Sequence, residues 1–165
     1  VEAFAKHVVG AGLPHVLAIV GSSADEPYMA EVQATIDRTG VRERVVLPGE
    51  VRYPAVGAWY RHAAAFVFPS FRETFGHPLV EAMAAGLPVA AADIPVMREV
   101  GGDAPLYYDP MSVDAIGAAL RDVLDPVKRA SRAEASRARA AKFSWAATAE
   151  KTLAVFEEAA GRGGH

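Results

Sequence analysis

The chain has 165 residues, 52% of them hydrophobic and 22% charged, with a formal net charge of −3 and no cysteine. That length suits one domain with a sizeable core, and the absence of cysteine excludes disulfides, thiolate metal sites and a cysteine nucleophile. The mildly acidic balance argues against nucleic-acid binding through a basic surface, and no apolar run is long enough to predict a membrane-spanning helix.

The opening V-E-A-F-A-K-H-V-V-G reads as the interior of a helix, not as a signal peptide, since it lacks Met and a basic leader. His15 to Val20 is a short apolar run closed by Gly21-Ser22-Ser23, the pattern of a strand buried on both faces of a parallel sheet. Ser23 is placed to cap a helix over Asp25 to Thr39, which Gly40 ends. Arg44 to Leu47 predicts a strand, Pro48-Gly49 a break, and Pro54 to His62 a helix. Ala65 to Phe68, Val89 to Ala91 and Leu106 to Tyr108 predict further strands. A helix starting at Pro78 and one or two turns over Ile94 to Val100 separate them. From Ser112 onward only helix is expected: Val113 to Leu124, another after Pro126 and a last one near Ser144. We divide the chain into one Rossmann-like domain over 1–165, with a helical extension over 126–160 and a frayed tail over 161–165.

Strands alternating with helices predict the α/β class: a parallel sheet with helices on both faces, closed by C-terminal helices. Ligands of such sheets sit beyond the carboxyl ends of the strands. The richest loop there is Pro69 to His77, leading into the helix at Pro78. Gly76 permits close backbone approach, and Pro78 suits the first turn of a helix whose free N–H groups favour an anion, typically phosphate. Glu73 and Glu81 stand eight residues apart across this turn. A carboxylate can accept two hydroxyls side by side, as a ribose diol offers them, so phosphate and hydroxyls together fit a sugar nucleotide. Two glutamates near a helix start are also favourable to the helix dipole without any ligand.

The segment E-T-F-G-H-P-L-V-E-A-M-A-A-G-L-P-V is similar to the E-x7-E signature of the retaining GT-B glycosyltransferases of the large group-one family. R-V-V-L-P-G-E-V, A-A-A-F-V-F-P-S, A-D-I-P-V-M-R-E-V, L-Y-Y-D-P and F-S-W-A-A-T resemble further segments of that family's C-terminal domain, in order. The resemblance implies the C-terminal half of a GT-B fold, whose first strand and diphosphate-clamping Arg and Lys would precede Val1. It implies a donor-binding domain that serves transfer of a hexosyl unit from a nucleotide-diphosphate sugar to an acceptor hydroxyl. The partners are then that donor and an N-terminal acceptor domain outside this chain, and the chain alone is expected not to turn over.

Carried onto this sequence, the resemblance gives Glu81 the ribose hydroxyls and Glu73 the donor sugar and its phosphate, as the catalytic residue. Phe75, Gly76 and His77 would approach sugar and diphosphate through their backbone, beside Thr74, while Pro48, Gly49 and Val51 would line the base. Thr74 and His77 depart from the family's usual Gly and apolar residue. No cofactor and no metal is implied, and the chain carries no D-x-D segment. The expected location is cytoplasmic, with peripheral attachment to the inner face of a membrane as a lesser reading. That reading rests on Lys128, Arg132, Arg139 and Lys142, which fall within about 80° of one another on a helix. A solvated face backed by small residues is the simpler account. The rival function is a non-catalytic sugar-nucleotide-binding module, with a GT-B epimerase or phosphorylase further behind. The lack of a G-x-G-x-x-G after any strand argues against a dehydrogenase.

Overall fold

The computed structural model describes residues 1–22 and 25–162. Among these, strands and helices alternate. First come α1 (Glu2–Phe4, continued as a π-helical stretch Ala5–Val9), β1 (Leu17–Val20), α2 (Glu26–Thr39), β2 (Val45–Gly49) and α3 (Tyr53–His62). They are followed by β3 (Phe66–Phe68), α4 (His77–Ala84), β4 (Val89–Ala92), α5 (Pro95–Gly101), β5 (Leu106–Tyr108), α6 (Val113–Val123), α7 (Arg129–Ala140) and α8 (Trp145–Arg162). Each of these strands pairs in parallel with its neighbour.

The strands form two sheets, β1-β2 and β3-β4-β5. In β3-β4-β5 the register runs Phe66↔Val89 and Ala90↔Leu106. The central strand β4 is buried along its whole length, and its Val-Ala-Ala-Ala sequence lets helices pack closely on either side. Val89 and Ala91 face Leu79, Ala82 and Met83 of α4 and Met97 and Val100 of α5. Ala90 and Ala92 face Tyr108, Ala119 and Val123. The alternate residues of one strand thus anchor two helical layers, as the pleat requires.

Among the described residues β1 and β3 are not paired with each other, so each keeps one open edge. Helices bridge the interval instead. Ala3, Phe4 and Val8 of the first helix and Leu120 of α6 form a cluster against which Leu17 of β1, Val45 of β2 and Val67 of β3 all pack. The other side of β1-β2 departs from expectation. The run at His15–Val20 predicts burial on both faces, yet Val16 and Val20 are exposed, as is Val46 on β2. Helices cover one face of this pair, so its residues alternate between half-buried and exposed. The strand also starts later than His15, because the Arg44 guanidinium takes the carbonyls of Leu13 (2.7 Å) and His15 (3.0 Å).

The helix boundaries follow local chemistry. Ser112 caps α6 by accepting from the Ala115 N–H at 3.1 Å, and Gly40 ends α2 in the left-handed region at φ 68°. Asp25 caps α2, accepting from the Tyr28 N–H at 3.0 Å; Ser23 lies outside the described residues. So does the end of the tail read as 161–165, since α8 runs to Arg162.

Three of the four cations of the basic stripe near α7 have partners within the domain. Arg132 binds Asp122 at 2.8 Å and Lys128 binds the same carboxylate. Arg139 donates to the Val100 carbonyl at 2.8 Å and to the Glu99 carbonyl, closing the C-terminal end of α5. Three of the four cations therefore hold α7 and its approach to the domain. The small residues behind them are covered only in part: Ala140 is buried, with Ser136, where α7 meets α4, and Ala133 is half-buried, while Ala130 and Ala141 are exposed.

Candidate functional site

The loop between β3 and α4 turns into the helix at Gly76, which has φ +83°. A side chain there would be strained twice. The left-handed backbone disfavours any Cβ, and a Cβ at this position would lie 2.9 Å from the Met97 terminal methyl and 3.2 Å from the Phe68 ring. The glycine seats the loop against β3 and α5. His77 and Pro78 then open α4, one residue earlier than the proline alone suggests, and the proline occupies a position whose N–H has no partner within a helix. The first N–H groups of α4 lie at the carboxyl end of β3, where they favour a negatively charged group.

Glu81 sits in the second turn of α4, half-buried, and two tyrosines of α3 converge on it. The Tyr60 hydroxyl donates to Glu81 Oε2 at 3.1 Å and the Tyr53 hydroxyl to Oε1 at 3.3 Å. Tyr60 is itself seated edge-on against Phe66, centroids 5.6 Å apart at 78°. Burial, and next the charge of Glu81, push the Tyr60 phenol well above its ordinary value, so it stays a proton donor. Tyr53 follows the Pro48–Val51 segment at the start of α3, and its bond to Glu81 ties that end of α3 to α4. Pro48 is exposed there, and Gly49 and Val51 are half-buried.

The remaining predicted residues line the loop itself. Glu73 and Phe75 are half-buried, Gly76 is buried, and Thr74 and His77 are exposed. Phe75 and His77 lie 4.8 Å apart between ring centroids, and Phe75 meets Phe143 edge-on at 5.8 Å. Trp145, the first residue of α8, stacks on His77 at 6.3 Å with 17° between the rings while remaining largely exposed. The loop is thereby framed by the connection between α7 and α8.

The sequence reading missed Tyr53, Tyr60, Phe143 and Trp145 as parts of this site. The tyrosine pair had a signal, since residues seven apart share one side of a helix. Nothing local could show that this side of α3 meets α4. Two other strand ends are occupied by structural bonds. Asp93 pairs with Arg98, whose guanidinium lies 4.5 Å above the Tyr107 ring, and Asp109 accepts from the Met111 N–H at 2.9 Å. Arg98 holds the Asp93 carboxyl below its ordinary value. Among the described residues no group of three or more His, Asp or Glu could hold a metal ion, and no helix is long and apolar enough to cross a membrane.

Comparison with known proteins agrees with this architecture. The family model for glycosyl transferases group 1 matches residues 1–139. The chain is 38% identical over 122 residues to the O-antigen chain mannosyltransferase B of Escherichia coli, covering 70% of this chain and 32% of that one. It is 33% identical over 153 residues to the D-inositol 3-phosphate glycosyltransferase of Xylanimonas cellulosilytica, covering 88% and 36% respectively. The chain thus spans about a third of the length of these curated relatives. Among solved structures, sucrose-phosphate synthase from Thermosynechococcus elongatus superposes with a TM-score of 0.84 at 23% identity, over 98% of this chain and 42% of that one. HepE from Anabaena, solved in complex with UDP and glucose, gives 0.80 at 21% identity, over 96% and 43%. At those identities the structural likeness speaks for the fold.

Proposed function

The chain belongs to the group 1 glycosyl transferases, and from that premise we propose that it is the donor-binding domain of a retaining, metal-independent hexosyltransferase that uses a nucleotide-diphosphate sugar. The observation that carries this reading is the Glu81 carboxylate, presented one turn inside a helix whose N-terminus opens on the Gly76 loop. That arrangement offers N–H groups to a diphosphate and two carboxylate oxygens to a vicinal diol. The complexes of HepE with UDP and with UDP-glucose support a donor of this class.

In this reading Glu81 takes the ribose hydroxyls. Glu73 lies against the donor sugar, and the backbone at Phe75, Gly76 and His77 approaches sugar and diphosphate, with Thr74 shaping the pocket. Pro48, Gly49 and Val51 flank the base. The acceptor hydroxyl, held by a separate acceptor domain, attacks the anomeric carbon on the face the diphosphate leaves. Rate enhancement comes from positioning and from stabilising charge on the departing diphosphate.

The test is calorimetric titration of the full-length gene product with UDP and GDP. Hydrogen bonds to a charged acceptor contribute roughly 1.5–3 kcal/mol each, so Glu81→Ala should weaken nucleotide binding by about tenfold or more. Unchanged affinity would remove the ribose assignment. Glu73→Ala should lower turnover more than it lowers nucleotide affinity.

A further inference from the structure

The two tyrosines on Glu81 are not equivalent. Tyr60 is half-buried and held edge-on by Phe66, and its hydroxyl donates to Oε2. Tyr53 is 77% exposed and donates to the other oxygen across a longer 3.3 Å. The last torsion of a glutamate is broad, so the carboxylate plane turns easily unless something fixes it. A cis-diol sets a demanding condition on that plane, because each hydroxyl needs its own oxygen at about 2.5–3.0 Å at the same time.

Resting on the ribose reading of Glu81, we propose that Tyr60 is a positioning residue that fixes the Glu81 carboxylate for bidentate recognition of the 2′- and 3′-hydroxyls, and that Tyr53 is a placeholder which cedes Oε1 to the nucleotide. An ionised carboxylate has about four acceptor positions. Tyr60 uses one of those on Oε2 and leaves the rest for hydroxyls. The environment keeps the Tyr60 phenol protonated, because its burial and the adjacent negative charge both oppose ionisation. It therefore keeps the O–H that it donates to Oε2. The cost of ordering the carboxylate is met during folding, by a ring already packed on Phe66, and not during binding. Tyr53 has no such packing. Its exposed ring leaves it free to swing away, so a hydroxyl of the ligand replaces its hydroxyl on Oε1.

The experiment compares UDP with 2′-deoxy-UDP, and GDP with 2′-deoxy-GDP, by calorimetry on the full-length gene product. The readout is the ratio of ribo to deoxy affinity, which a purely structural side chain would not move. The unaltered protein should prefer the ribonucleotide by about tenfold or more, one charged hydrogen bond. Tyr60→Phe keeps the ring against Phe66 and should bring that ratio down to within about threefold of unity, while Tyr53→Phe should leave it unchanged or raise it. Adding Tyr60→Phe to Glu81→Gln should then have no further effect on the ratio, a comparison that still reports if the single Tyr60 variant loses thermal stability. A Tyr60→Phe protein that keeps the full preference overturns the positioning role, with the ribose reading intact. Absence of the preference in the unaltered protein, or its survival in Glu81→Gln, overturns the ribose reading itself.

Discussion

The β3-β4-β5 half and the β1-β2 half are built from the same parallel strand–helix units, yet they are buried to very different degrees. In the first, β4 has helices on both faces and no residue of it is more than 1% exposed. In the second, Val20 and Val46 are 40% and 44% exposed, because helices cover a single face and β1 keeps a free edge. Glu81 and the Gly76 turn stand on the fully layered half. A site that must present a carboxylate and a row of N–H groups in fixed positions gains from close-packed support. In the proposed site the open half would supply the segment Pro48–Val51, and α3 supplies the two tyrosines that bond Glu81.

Core truncations should separate the halves most. Met83 is fully buried between α4, β4 and α5, and Met83→Ala should destabilise by about 2–5 kcal/mol through lost burial and a residual cavity. Val46→Ala on the exposed face of β2 should stay within about 0.5 kcal/mol. Denaturant titration of both variants measures the contrast. A Val46 cost comparable to that of Met83 would mean that this face is covered in solution.

Next in size are two glycines with left-handed backbone. A Cβ at Gly76 (φ +83°) would press on Met97 and Phe68, whereas one at Gly49 (φ +72°) would meet nothing within 4 Å. Both alanine substitutions meet a backbone penalty of roughly 1–2 kcal/mol, but Gly76→Ala must also displace its neighbours. It should be the more destabilising of the two and should weaken nucleotide binding, while Gly49→Ala mainly lowers the melting temperature. Equal melting shifts would show that the packing at Gly76 adjusts freely.

Helix caps give a smaller contrast. Ser112→Ala and Asp25→Ala each remove a side-chain acceptor worth about 1 kcal/mol. The Ser112 change should cost more, because α6 carries the buried Ala119, Leu120 and Val123 while α2 buries Ile36 alone. Equal costs in thermal unfolding would show that each cap acts only on its own helix.

The smallest effect is that of pH. Lys128, by its hydrogen bond, and Arg132 hold Asp122 below the ordinary aspartate value of 3.8. Asp114 is held low by Lys6 and His7, and Glu2 by Arg38. A carboxylate with a lowered folded-state value contributes stability that is fully present above its ordinary value and is lost as pH falls through the lowered one. Stability should therefore decline below pH 3.8, and Asp122→Asn should flatten that decline. Salt should shrink the effect, more at Asp114, whose side chain is 69% exposed, than at Asp122, which is 35% exposed. A pH profile unaffected by either change would mean that the pairs are idle.

The failures of the sequence reading share one cause. The run at His15–Val20 reads as a doubly buried strand because apolarity reports what a segment can bury, not whether both covering layers are present. The partners of Lys128, Arg132 and Arg139 leave no sign in the sequence, because Asp122 and the last carbonyls of α5 lie on other elements. Tyr60 gives no signal of its own, because a tyrosine on an amphipathic helix is ordinary until another helix brings a carboxylate within 3.1 Å.

What the sequence determined by itself was everything that depends on neighbours along the chain. That includes the alternation of strands and helices, the stop at Gly40, the cap at Ser112, and the turn at Gly76 that starts α4. These follow from backbone sterics and from hydrogen bonds spanning a few residues. The tertiary structure alone decided which face of β1-β2 stays open, that Arg139 closes α5, and that α3 delivers two hydroxyls to Glu81. Such contacts join residues more than twenty positions apart, and only the packing of layers sets their distances.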